Sequence, residues 1–564
     1  MPKIRNKLPR ESWNSRSAWA AVVLVILLLG AQTVRVQLFP DHRVVRQSQR
    51  QYWAQVTIST SRGDIRDRND VPLAISVPSV SFFIDPLYWN PASADVLREY
   101  FGERVADRFS KPLRGRFHWV VRKMPVELAQ SLIDRKVPGL FTVKESRRMY
   151  PHGELASHVI GFCDIDDSGL SGVERQWDNV LFSPPQNRLF VRDARGNLLD
   201  LIGSNAGAFN TGAGAIKLTI DSKIQQIVEW KLKDGAVNTG SKWGVGICIS
   251  PKTGEILAMA SYPWVDLNDR GSFGGRETLR NNAIGRVYEP GSTFKPIMLG
   301  LAMEMGQASM KEQFLCRGRI KIADGVIRDV STHGNLALDG LLIKSCNTGM
   351  ATIGNRLNAH KAHGMLRQFG FGLKSDVEIA GEEEGLLRSP EEWLGMVRAN
   401  VAIGHGLAVT PLQLAAAISA VANGGEVLKP YIVAEVKDSN GKVIHHGKKR
   451  VRGAVLNRET CEWLRTALHK TVETGTGKAA RVDGVALAGK TGTAQIATGG
   501  AYAKGQYNSS FVGFWPYNDP QYLLLIVLGE PSGSRYYGGE IAAPVFRAIV
   551  EDMSQLSGFA RAAR

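Results

Sequence analysis

Three short motifs in the sequence carry residues that can work together in acyl transfer. A serine lies three positions before a lysine, a second serine lies two before an asparagine, and a second lysine precedes a threonine and a glycine. A serine hydroxyl becomes a nucleophile when a base removes its proton, and polar groups stabilise the oxyanion that forms. This chemistry needs no metal or organic cofactor. The motifs are Ser292-Thr-Phe-Lys295, Ser345-Cys-Asn347 and Lys490-Thr491-Gly492.

The first motif has the context of a nucleophile at a helix start. Pro290-Gly291 predicts a turn, and an apolar helix is expected from Phe294 to Met305. Residues three apart share one face of a helix, so Lys295 is expected to reach Ser292 Oγ. Pro296 limits how far upstream the helix can begin, and N–H groups of a first turn favour negative charge. Ser292 as a plain helix cap is the alternative.

The other two motifs supply groups that the first one needs. A free lysine has a pKa of about 10.4, so Lys295 can act as a base only if burial or a nearby cation depresses that pKa. Lys490, in an expected strand beside the cleft, is the obvious second cation. Ser345 and Asn347 can present a hydroxyl and an amide to the same cleft, or form a helix cap. Gly492 would allow a substrate backbone to approach closely.

Copies of these motifs elsewhere have a simpler explanation. Ser439-Asn-Gly-Lys442 repeats the first pattern, but Ser439 lies in an expected turn. Lys252-Thr-Gly254 occupies the turn of an expected β-hairpin, and Ser12-Trp-Asn14 precedes an apolar segment at the N-terminus. Purely structural roles are therefore expected for all three.

Composition and charge narrow the class of protein. The chain has 564 residues, 44% hydrophobic and 22% charged, with 70 Lys and Arg against 53 Asp and Glu. These values exclude a wholly disordered chain and a many-pass membrane protein. The net charge of +17 fits either nucleic-acid binding or work beside an anionic membrane or wall polymer. Five scattered cysteines without a CxxC pair indicate neither a zinc ribbon nor a disulfide framework, and no metal site is predicted.

One apolar run near the N-terminus decides between these readings of the charge. Residues 18–38 predict a single transmembrane anchor, flanked by Arg16 and preceded by a basic segment. The positive-inside rule places residues 1–17 in the cytoplasm and everything after Leu38 outside it. A cleaved signal peptide is the alternative, although the run lacks an A-x-A site at its end. Either reading exports the bulk of the chain, so no nucleic-acid partner is expected.

The remaining chain divides into two regions at a glycine-rich stretch around residues 203–214. Residues 39–210 predict one mixed domain, which begins with a polar stalk at about 39–56. Residues 211–564 predict a large α/β (α+β) domain with a mainly antiparallel sheet flanked by helices. Its expected elements are a strand at 215–220, a helix capped by Asp221 and ending near Leu232, a hairpin at 244–261, a helix from Thr410-Pro411 to Gly424-Gly425, strands at 509–515 and 521–529, and a last helix at 542–553.

The three motifs, in this order, are known from β-lactamases and penicillin-binding proteins. The chain resembles class B penicillin-binding proteins, most closely their division-specific (FtsI-type) members, from the anchor almost to the C-terminus. The landmarks of the resemblance are Arg62-Gly-Asp-Ile-Arg-Asp-Arg68 with Leu73-Ala74, Tyr150-Pro151, His158-Val-Ile-Gly161, Gly172-Val-Glu174, Leu218-Thr-Ile-Asp221, Tyr288-Glu-Pro-Gly-Ser-Thr-Phe-Lys-Pro296, Gly404-His-Gly406, Thr410-Pro-Leu-Gln413, Gly475-Thr-Gly477, Gly489-Lys-Thr-Gly-Thr-Ala494 and Ser510-Phe-Val-Gly513.

The resemblance implies a D,D-transpeptidase that cross-links peptidoglycan stem peptides and is acylated by β-lactams. It implies Ser292 as nucleophile and Lys295 as its general base, with Ser345 and Lys490 relaying a proton to the leaving D-Ala. Asn347 would hold the substrate amide, Thr491 and Thr493 the terminal carboxylate, and the N–H groups of Ser292 and Thr493 the oxyanion. No cofactor is implied.

The resemblance also implies an inner-membrane protein with an elongated N-terminal pedestal domain. In relatives, the pedestal docks a membrane glycosyltransferase of the SEDS family and other division proteins. Two departures stand out: Cys346 replaces a small residue, which adds a possible reactive thiol near the cleft, and residues 182–187 lack an expected glycine pair.

Other functions remain open from sequence alone. An elongation-specific class B paralogue would share every motif. A carboxypeptidase or β-lactamase would pass the acyl group to water. A scaffold would mainly activate a partner glycosyltransferase, and a penicillin-sensing receptor would need a signalling domain.

Overall fold

A computed structural model gives the fold of the chain. It describes residues 15–38, 53–58, 60–184, 186–192, 198–199, 213–323, 325–498 and 501–556. Most of the expected stalk at 39–56 and of the glycine-rich stretch at 203–214 lies outside these residues. The chain forms two compact units: residues 1–59 with 184–209, and residues 60–183 with 210–564.

The first unit contains the expected anchor. Helix α1 (Ser15–Leu38) has 24 residues, a length of about 36 Å, and residues Ser17–Leu38 are long and apolar enough to cross a membrane. This fits a single-pass anchor. The same unit contains a three-stranded antiparallel sheet of β1 (Trp53–Ile58), β6 (Gln186–Arg192) and β7 (Leu198–Leu199).

The second unit begins with a seven-stranded sheet. Its order is β17-β16-β8-β2-β3-β4, with β5 paired to β3, and only β2 and β8 pair in parallel. The strands are β2 (Ile65–Arg66), β3 (Pro72–Ile84), β4 (His118–Pro125), β5 (Leu140–Met149), β8 (Ala215–Leu218), β16 (Val433–Lys437) and β17 (Val443–His446). Hydrogen bonds therefore connect strands that come before the predicted domain boundary at residue 210 to strands that come after it.

Six helices accompany the part of this unit before residue 184. They are α2 (Ala94–Phe101), α3 (Glu103–Phe109), α4 (Val126–Asp134), α5 (Ser157–Ile160), α6 (Gly172–Gln176) and α7 (Asp178–Leu181). Phe82 from β3, Leu97 from α2 and Phe109 from α3 share one buried apolar cluster, which fixes the first helices on the sheet. Such burial contributes roughly 1.5–3 kcal/mol per large side chain.

A buried ionic cluster holds the same region together. Glu174 is fully buried and accepts hydrogen bonds from Arg62 Nε at 2.5 Å and from Arg148 Nε at 2.7 Å. Arg62 also bonds Asp178 Oδ1, and Arg148 bonds the carbonyl of Gly63 at 2.7 Å. A buried carboxylate is tolerated only with this kind of complete pairing. Arg62 and Glu174, which belong to two landmarks of the family resemblance, thus contact each other directly.

The centre of the second unit is a five-stranded antiparallel sheet of order β10-β9-β21-β20-β19. Its strands are β9 (Trp243–Ile249), β10 (Ile256–Tyr262), β19 (Ala488–Thr498), β20 (Ala501–Trp515) and β21 (Tyr522–Gly529). This confirms the predicted hairpin and the mainly antiparallel sheet. Strand β19, which carries Lys490, forms one edge of the sheet.

Helices cover both faces of this sheet. Along β21, Leu524 and Ile526 pack in one apolar cluster with α8 (Ser222–Thr239) and α17 (Gly538–Ser554). Leu523 and Leu525 pack in the other cluster, with α10 (Lys295–Glu304), α15 (Pro411–Asn423) and α16 (Arg458–Glu473). Successive strand residues face opposite sides, so burial on both sides requires the unbroken apolar run of β21.

Two predicted helix signals act as expected. Asp221 caps α8 through the N–H groups of Lys223 and Ile224, although α8 passes its predicted end and stops at Gly240, whose φ of 60° is left-handed. Thr410 caps α15 in a capping box with Gln413, and Gly424 ends that helix. The remaining elements are helices α9 (Asn282–Gly285), α11 (Gly340–Ile343), α12 (Asn347–Arg356), α13 (Ala359–Phe369) and α14 (Val397–Ala402), and antiparallel pairs β11 (Gln313–Cys316) with β14 (Gly334–Ala337), β12 (Arg319–Ile322) with β13 (Gly325–Arg328), and β15 (Glu426–Leu428) with β18 (Val451–Ala454).

Glu229 makes stability depend on pH. Its carboxyl on α8 accepts hydrogen bonds from the Ala156 N–H at 2.9 Å and from Gln225 Nε2 at 2.7 Å, and burial raises its pKa from 4.5 to about 8. The folded state therefore keeps a proton that the unfolded state releases near pH 4.5. The stabilisation is complete below pH 4.5 and is lost as the pH rises through about 8.

We expect Glu229→Gln to remove this pH dependence. At pH 8 the variant should have a Tm higher than that of the natural protein by roughly 2–4 °C, measured by calorimetry, and the difference should shrink at pH 5. Glu383→Gln, at an exposed position, is the control. A variant whose Tm falls in parallel with that of the natural protein from pH 5 to pH 8 would contradict the role of Glu229.

Candidate functional site

Ser292 lies in a tight turn directly before α10. Residues Gly291–Phe294 form one turn of 3-10 helix, and α10 begins at Lys295, one residue later than predicted, with Pro296 in its first turn. In a 3-10 turn, residues three apart lie on the same side, which directs Ser292 and Lys295 to the cleft. Gly291 has a left-handed φ of 55° and its N–H donates to the Gly404 carbonyl. The turn is thereby held from behind.

Lys295 is completely buried and points to the second motif. Its Nζ donates to Asn347 Oδ1 at 2.8 Å, to the Ser345 carbonyl at 2.5 Å and to Ser345 Oγ at 3.3 Å. The expected bond to Ser292 Oγ is not among the hydrogen bonds of the described residues. Catalytic bonds often tighten only when substrate is bound.

Lys490 approaches the same serine from the opposite side. It is fully buried on β19, and its Nζ lies 2.9 Å from Ser345 Oγ and 3.1 Å from the Thr491 carbonyl. The Ser345 hydroxyl is therefore shared by two lysines whose positions in the sequence are far apart. Ser345 itself has a left-handed φ of 56°, an uncommon conformation for a residue with a side chain. The structure thus brings one residue from each motif to a single hydroxyl.

Burial makes both lysines weaker cations than free lysine. Loss of solvation lowers the pKa of Lys295 to about 8, although the negative charge of Asp329 opposes that shift. Loss of solvation also lowers the pKa of Lys490 well below its usual range, and the positive charge of Lys295 adds to the effect. An unprotonated amine is therefore accessible near neutral pH, which meets the condition for a lysine base.

Asn347 is held on two sides. Its Oδ1 accepts from Lys295, and its Nδ2 donates to the Arg328 carbonyl at 2.9 Å. Its backbone N–H donates to Asp329 Oδ1, and the N–H of Thr348 donates to Asp329 Oδ2 at 3.0 Å. Asp329 thus holds the backbone of the second motif in place. Nothing in the sequence near Asp329 pointed to this role.

The third motif lies against the turn that carries Ser292. Thr491 Oγ1 donates to Thr476 Oγ1 at 3.0 Å, and Thr493 Oγ1 accepts from the Gly538 N–H at 2.9 Å. A Cβ on Gly492 would lie 2.4 Å from Ser510 Oγ and 2.8 Å from Thr293 Cγ2. The glycine is therefore required by the protein's own packing beside Ser292, a reason that the sequence did not indicate.

Contacts behind the Ser292 turn join two landmarks of the resemblance. Glu289 Oε2 lies 2.7 Å from His405 Nδ1, and Glu289 Oε1 accepts from the Gly406 N–H at 2.8 Å. Glu289 directly precedes Pro290 of the turn, so these contacts fix the loop that presents Ser292. Tyr288-Glu-Pro290 and Gly404-His-Gly406 were visible in the sequence as landmarks, but the contact between them was not.

The repeated motifs lie away from this cluster. Ser439 lies in a turn in which Asp438 accepts the N–H of Lys442, and Lys252 lies in a hairpin turn and pairs with Asp519. Both have the structural roles that were expected. Ser12 lies outside the described residues.

The structure shows the state of the five cysteines and places two of them in a group of metal-binding side chains. All five thiols are free and buried. Burial raises the pKa of Cys346 to about 12, so the expected reactive thiol near the cleft is instead a protonated, inaccessible one. Ligand atoms of Cys316, Asp329, His333 and Cys346 lie within 4.8 Å of one another, a grouping that could hold a metal ion.

Known proteins share both regions of the chain. Residues 244–551 match the penicillin-binding protein transpeptidase domain, and residues 57–208 match the penicillin-binding protein dimerisation domain. Stage V sporulation protein D of Bacillus subtilis is 32% identical over 544 residues, which cover 94% of this chain and 83% of that protein. Peptidoglycan D,D-transpeptidase FtsI of Escherichia coli is 29% identical over 555 residues, which cover 96% and 91%.

A solved structure supports the same grouping. Penicillin-binding protein 3 of Mycobacterium tuberculosis, complexed with aztreonam, superposes with a TM-score of 0.69 at 26% identity, covering 89% of this chain and 97% of that one. The chain therefore belongs to the class B penicillin-binding proteins. It has their transpeptidase fold with an N-terminal dimerisation domain, and it is a D,D-transpeptidase.

Gly492 allows a direct test of the packing in the cleft. We expect Gly492→Ala to displace β19 from the nucleophile turn, to destabilise the protein by about 1–3 kcal/mol and to slow penicillin acylation at least tenfold. Gly453→Ala is the matched control, because a Cβ there meets nothing within 4 Å. Chemical denaturation and the acylation rate measure the two effects. Equal results for the two variants would show that the cleft has room for the added methyl group.

Proposed function

We propose that this protein cross-links peptidoglycan stem peptides through an acyl-enzyme at Ser292. The observation that carries the proposal is the position of Ser345 Oγ, 3.3 Å from Lys295 Nζ and 2.9 Å from Lys490 Nζ, beside the nucleophile turn. Two buried amines and the hydroxyls of Ser292 and Ser345 would form a path for a proton between the attacking and the leaving group once the Ser292–Lys295 contact tightens with substrate bound.

The acylation step uses this path. The unprotonated Lys295 amine takes the proton of the Ser292 hydroxyl, and Ser292 Oγ attacks the carbonyl carbon between the last two D-Ala residues. N–H groups of Ser292 and Thr493 stabilise the oxyanion. The C–N bond then breaks, and the proton passes through Ser345 and Lys490 to the leaving amine of D-Ala. An amine of a second stem peptide attacks the ester, forms the cross-link and returns the proton to Ser292.

Polar groups around the cleft would recognise the substrate. Asn347, held between Lys295 and the Arg328 carbonyl, would bond the amide of the stem peptide. Thr491 and Thr493, with Gly492 between them on the edge strand, would bind the terminal carboxylate. A β-lactam carries an amide and a carboxylate in a similar arrangement and would acylate the same serine.

Covalent labelling tests the assignment of the nucleophile. We expect intact-mass spectrometry of the full chain in detergent to show one penicillin adduct, absent in Ser292→Ala and nearly absent in Lys295→Ala. Ser439→Ala, the matched control, should be labelled normally. Calorimetry shows whether each variant is folded. An adduct on folded Ser292→Ala, or its loss in Ser439→Ala, would overturn the assignment.

We further propose that the cross-linking serves the division septum. The support is the resemblance to division-specific members and the similarity to FtsI of Escherichia coli over 96% of this chain. The basic residues before α1 would keep the N-terminus in the cytoplasm and place the catalytic domain, residues 211–564, outside. The pedestal, residues 39–210, would dock a SEDS-family glycosyltransferase and other division proteins.

Similarity to a sporulation protein favours a second candidate. Stage V sporulation protein D is named for its developmental stage, and its identity to this chain is 32%. A role in the wall of a developing spore would use the same chemistry at another time. An elongation role would place the protein along the lateral wall.

Imaging distinguishes these roles. We expect a fluorescent fusion of the full chain in its own bacterium to gather at midcell, and depletion to give filaments. Lateral signal with rounded cells would favour elongation, and a requirement confined to sporulation would favour the second candidate.

If Ser292→Ala still activates the glycosyltransferase without cross-linking, the scaffold role is separate from catalysis. Release of the acyl group mainly to water would indicate a carboxypeptidase.

A further inference from the structure

A cluster of four side chains lies directly behind the second motif. Cys316 ends β11, Asp329 follows β13, His333 precedes β14, and Cys346 caps α12. Their ligand atoms, two Sγ atoms, a carboxylate oxygen and a ring nitrogen, all lie within 4.8 Å of one another. Both thiols are almost fully buried, at 1% and 0% exposure. The proposed cross-linking reaction uses none of the four as a reacting group.

Three of the six distances between these atoms match a tetrahedral metal site. Asp329 Oδ2 lies 3.3 Å from Cys316 Sγ and 3.3 Å from Cys346 Sγ, and Cys316 Sγ lies 3.5 Å from His333 Nδ1. Zinc bonds of about 2.0–2.3 Å at tetrahedral angles separate neighbouring ligands by about 3.3–3.8 Å. The other three pairs lie within 4.8 Å, so side-chain shifts would bring all four atoms to a central ion.

Outer contacts orient the ligands for this purpose. Ser331 Oγ lies 3.2 Å from His333 Nε2, so an Nε2–H bond to the serine leaves Nδ1 free to bind a metal. The Gly349 N–H donates to Cys346 Sγ at 3.4 Å, a contact that favours a thiolate. The N–H of Asn347 donates to Asp329 Oδ1, whereas Oδ2, which also accepts the Thr348 N–H at 3.0 Å, lies 3.3 Å from each of the two sulfurs. Such outer partners are typical of built metal sites.

We propose that Cys316, Asp329, His333 and Cys346 bind one structural zinc ion. Two thiolates, an imidazole and a carboxylate fill a four-coordinate site, as in closed zinc sites, and sulfur ligands disfavour magnesium and calcium. Binding releases the two thiol protons to solvent. The net charge at the cluster is −1 before binding, from the carboxylate, and −1 afterwards, from +2 − 3. The charge facing Lys295 is therefore preserved.

The zinc ion acts as a clamp on the catalytic motif. Cys346 lies between Ser345 and Asn347, and both neighbours bond Lys295 Nζ. Asp329 adds a second link, because it holds the N–H groups of Asn347 and Thr348. The ion would tie β11 and the loop before β14 to the start of α12. It positions the motif and takes no part in acyl transfer.

Metal content tests the proposal without reference to activity. We expect the full chain, purified in detergent without chelators, to carry one zinc by elemental analysis and native mass spectrometry. Cys316→Ser and His333→Ala should lose it, whereas Cys461→Ser, at another buried thiol, should retain it. Cobalt(II) added to zinc-free protein should give the intense visible absorption of a tetrahedral thiolate site, absent in Cys316→Ser.

A milder substitution should weaken zinc binding without abolishing it. Ser331→Ala removes the outer partner of His333 and should weaken zinc binding about 10- to 100-fold in a chelator competition while leaving the fold intact. Zinc removal from the natural protein should slow penicillin acylation, and zinc should restore the rate. Ser292→Ala should bind zinc normally, which separates this proposal from the proposed cross-linking.

Three outcomes would overturn the proposal. The first is a natural protein that takes up no zinc or cobalt. The second is zinc retained in folded Cys316→Ser or His333→Ala. The third is a mass lower by two hydrogens with Cys316 and Cys346 joined in one peptide, since the two sulfurs are near enough for a disulfide to compete.

Discussion

The main constraint on this structure is that two lysine amino groups are buried away from water and point to one hydroxyl. Lys295 and Lys490 are both fully buried, and their like charges disfavour each other across Ser345. A site of this kind is stable only if the surrounding chain supplies carbonyl and amide oxygens and holds them in place. The Ser345 and Thr491 carbonyls and the Asn347 amide do so. The lowered pKa values of both lysines are the consequence.

The fold is arranged to bring three distant pieces of chain to that point. Strand β19 forms the edge of the central sheet, the turn before α10 packs against it at Gly492, and the segment before α12 closes the third side. Glu289 and Asp329 hold the turn and the segment from behind. Helices cover both faces of the sheet, and the three motifs meet at its β19 edge.

Much of this arrangement could be predicted from the sequence, and the failures share one cause. The caps at Asp221 and Thr410, the hairpin before α9 and the lysine-bearing strand follow from local pattern, and the structure has them. The three motifs that were grouped from the sequence lie together around Ser345 in the structure. It did not reveal Asp329, the pairing of Glu289 with His405, or the grouping of Cys316 with Cys346. Those contacts join residues without a regular spacing, so only the tertiary fold places them together. The expected Lys295–Ser292 contact assumed one helix face, whereas the buried amine finds stronger acceptors in the second motif.

The seven-stranded sheet has a consequence for the independence of the two regions. Strand β2, from the region before residue 210, pairs in parallel with β8, and β16 occupies the other side of β8. A fragment that begins at residue 211 would keep β16 but lose β2, and β8 would then present an open row of N–H and C=O groups. Open strand edges are templates for self-association. The catalytic region therefore depends on the chain before it for protection against aggregation, and a swinging hinge between β2 and β8 would break backbone hydrogen bonds.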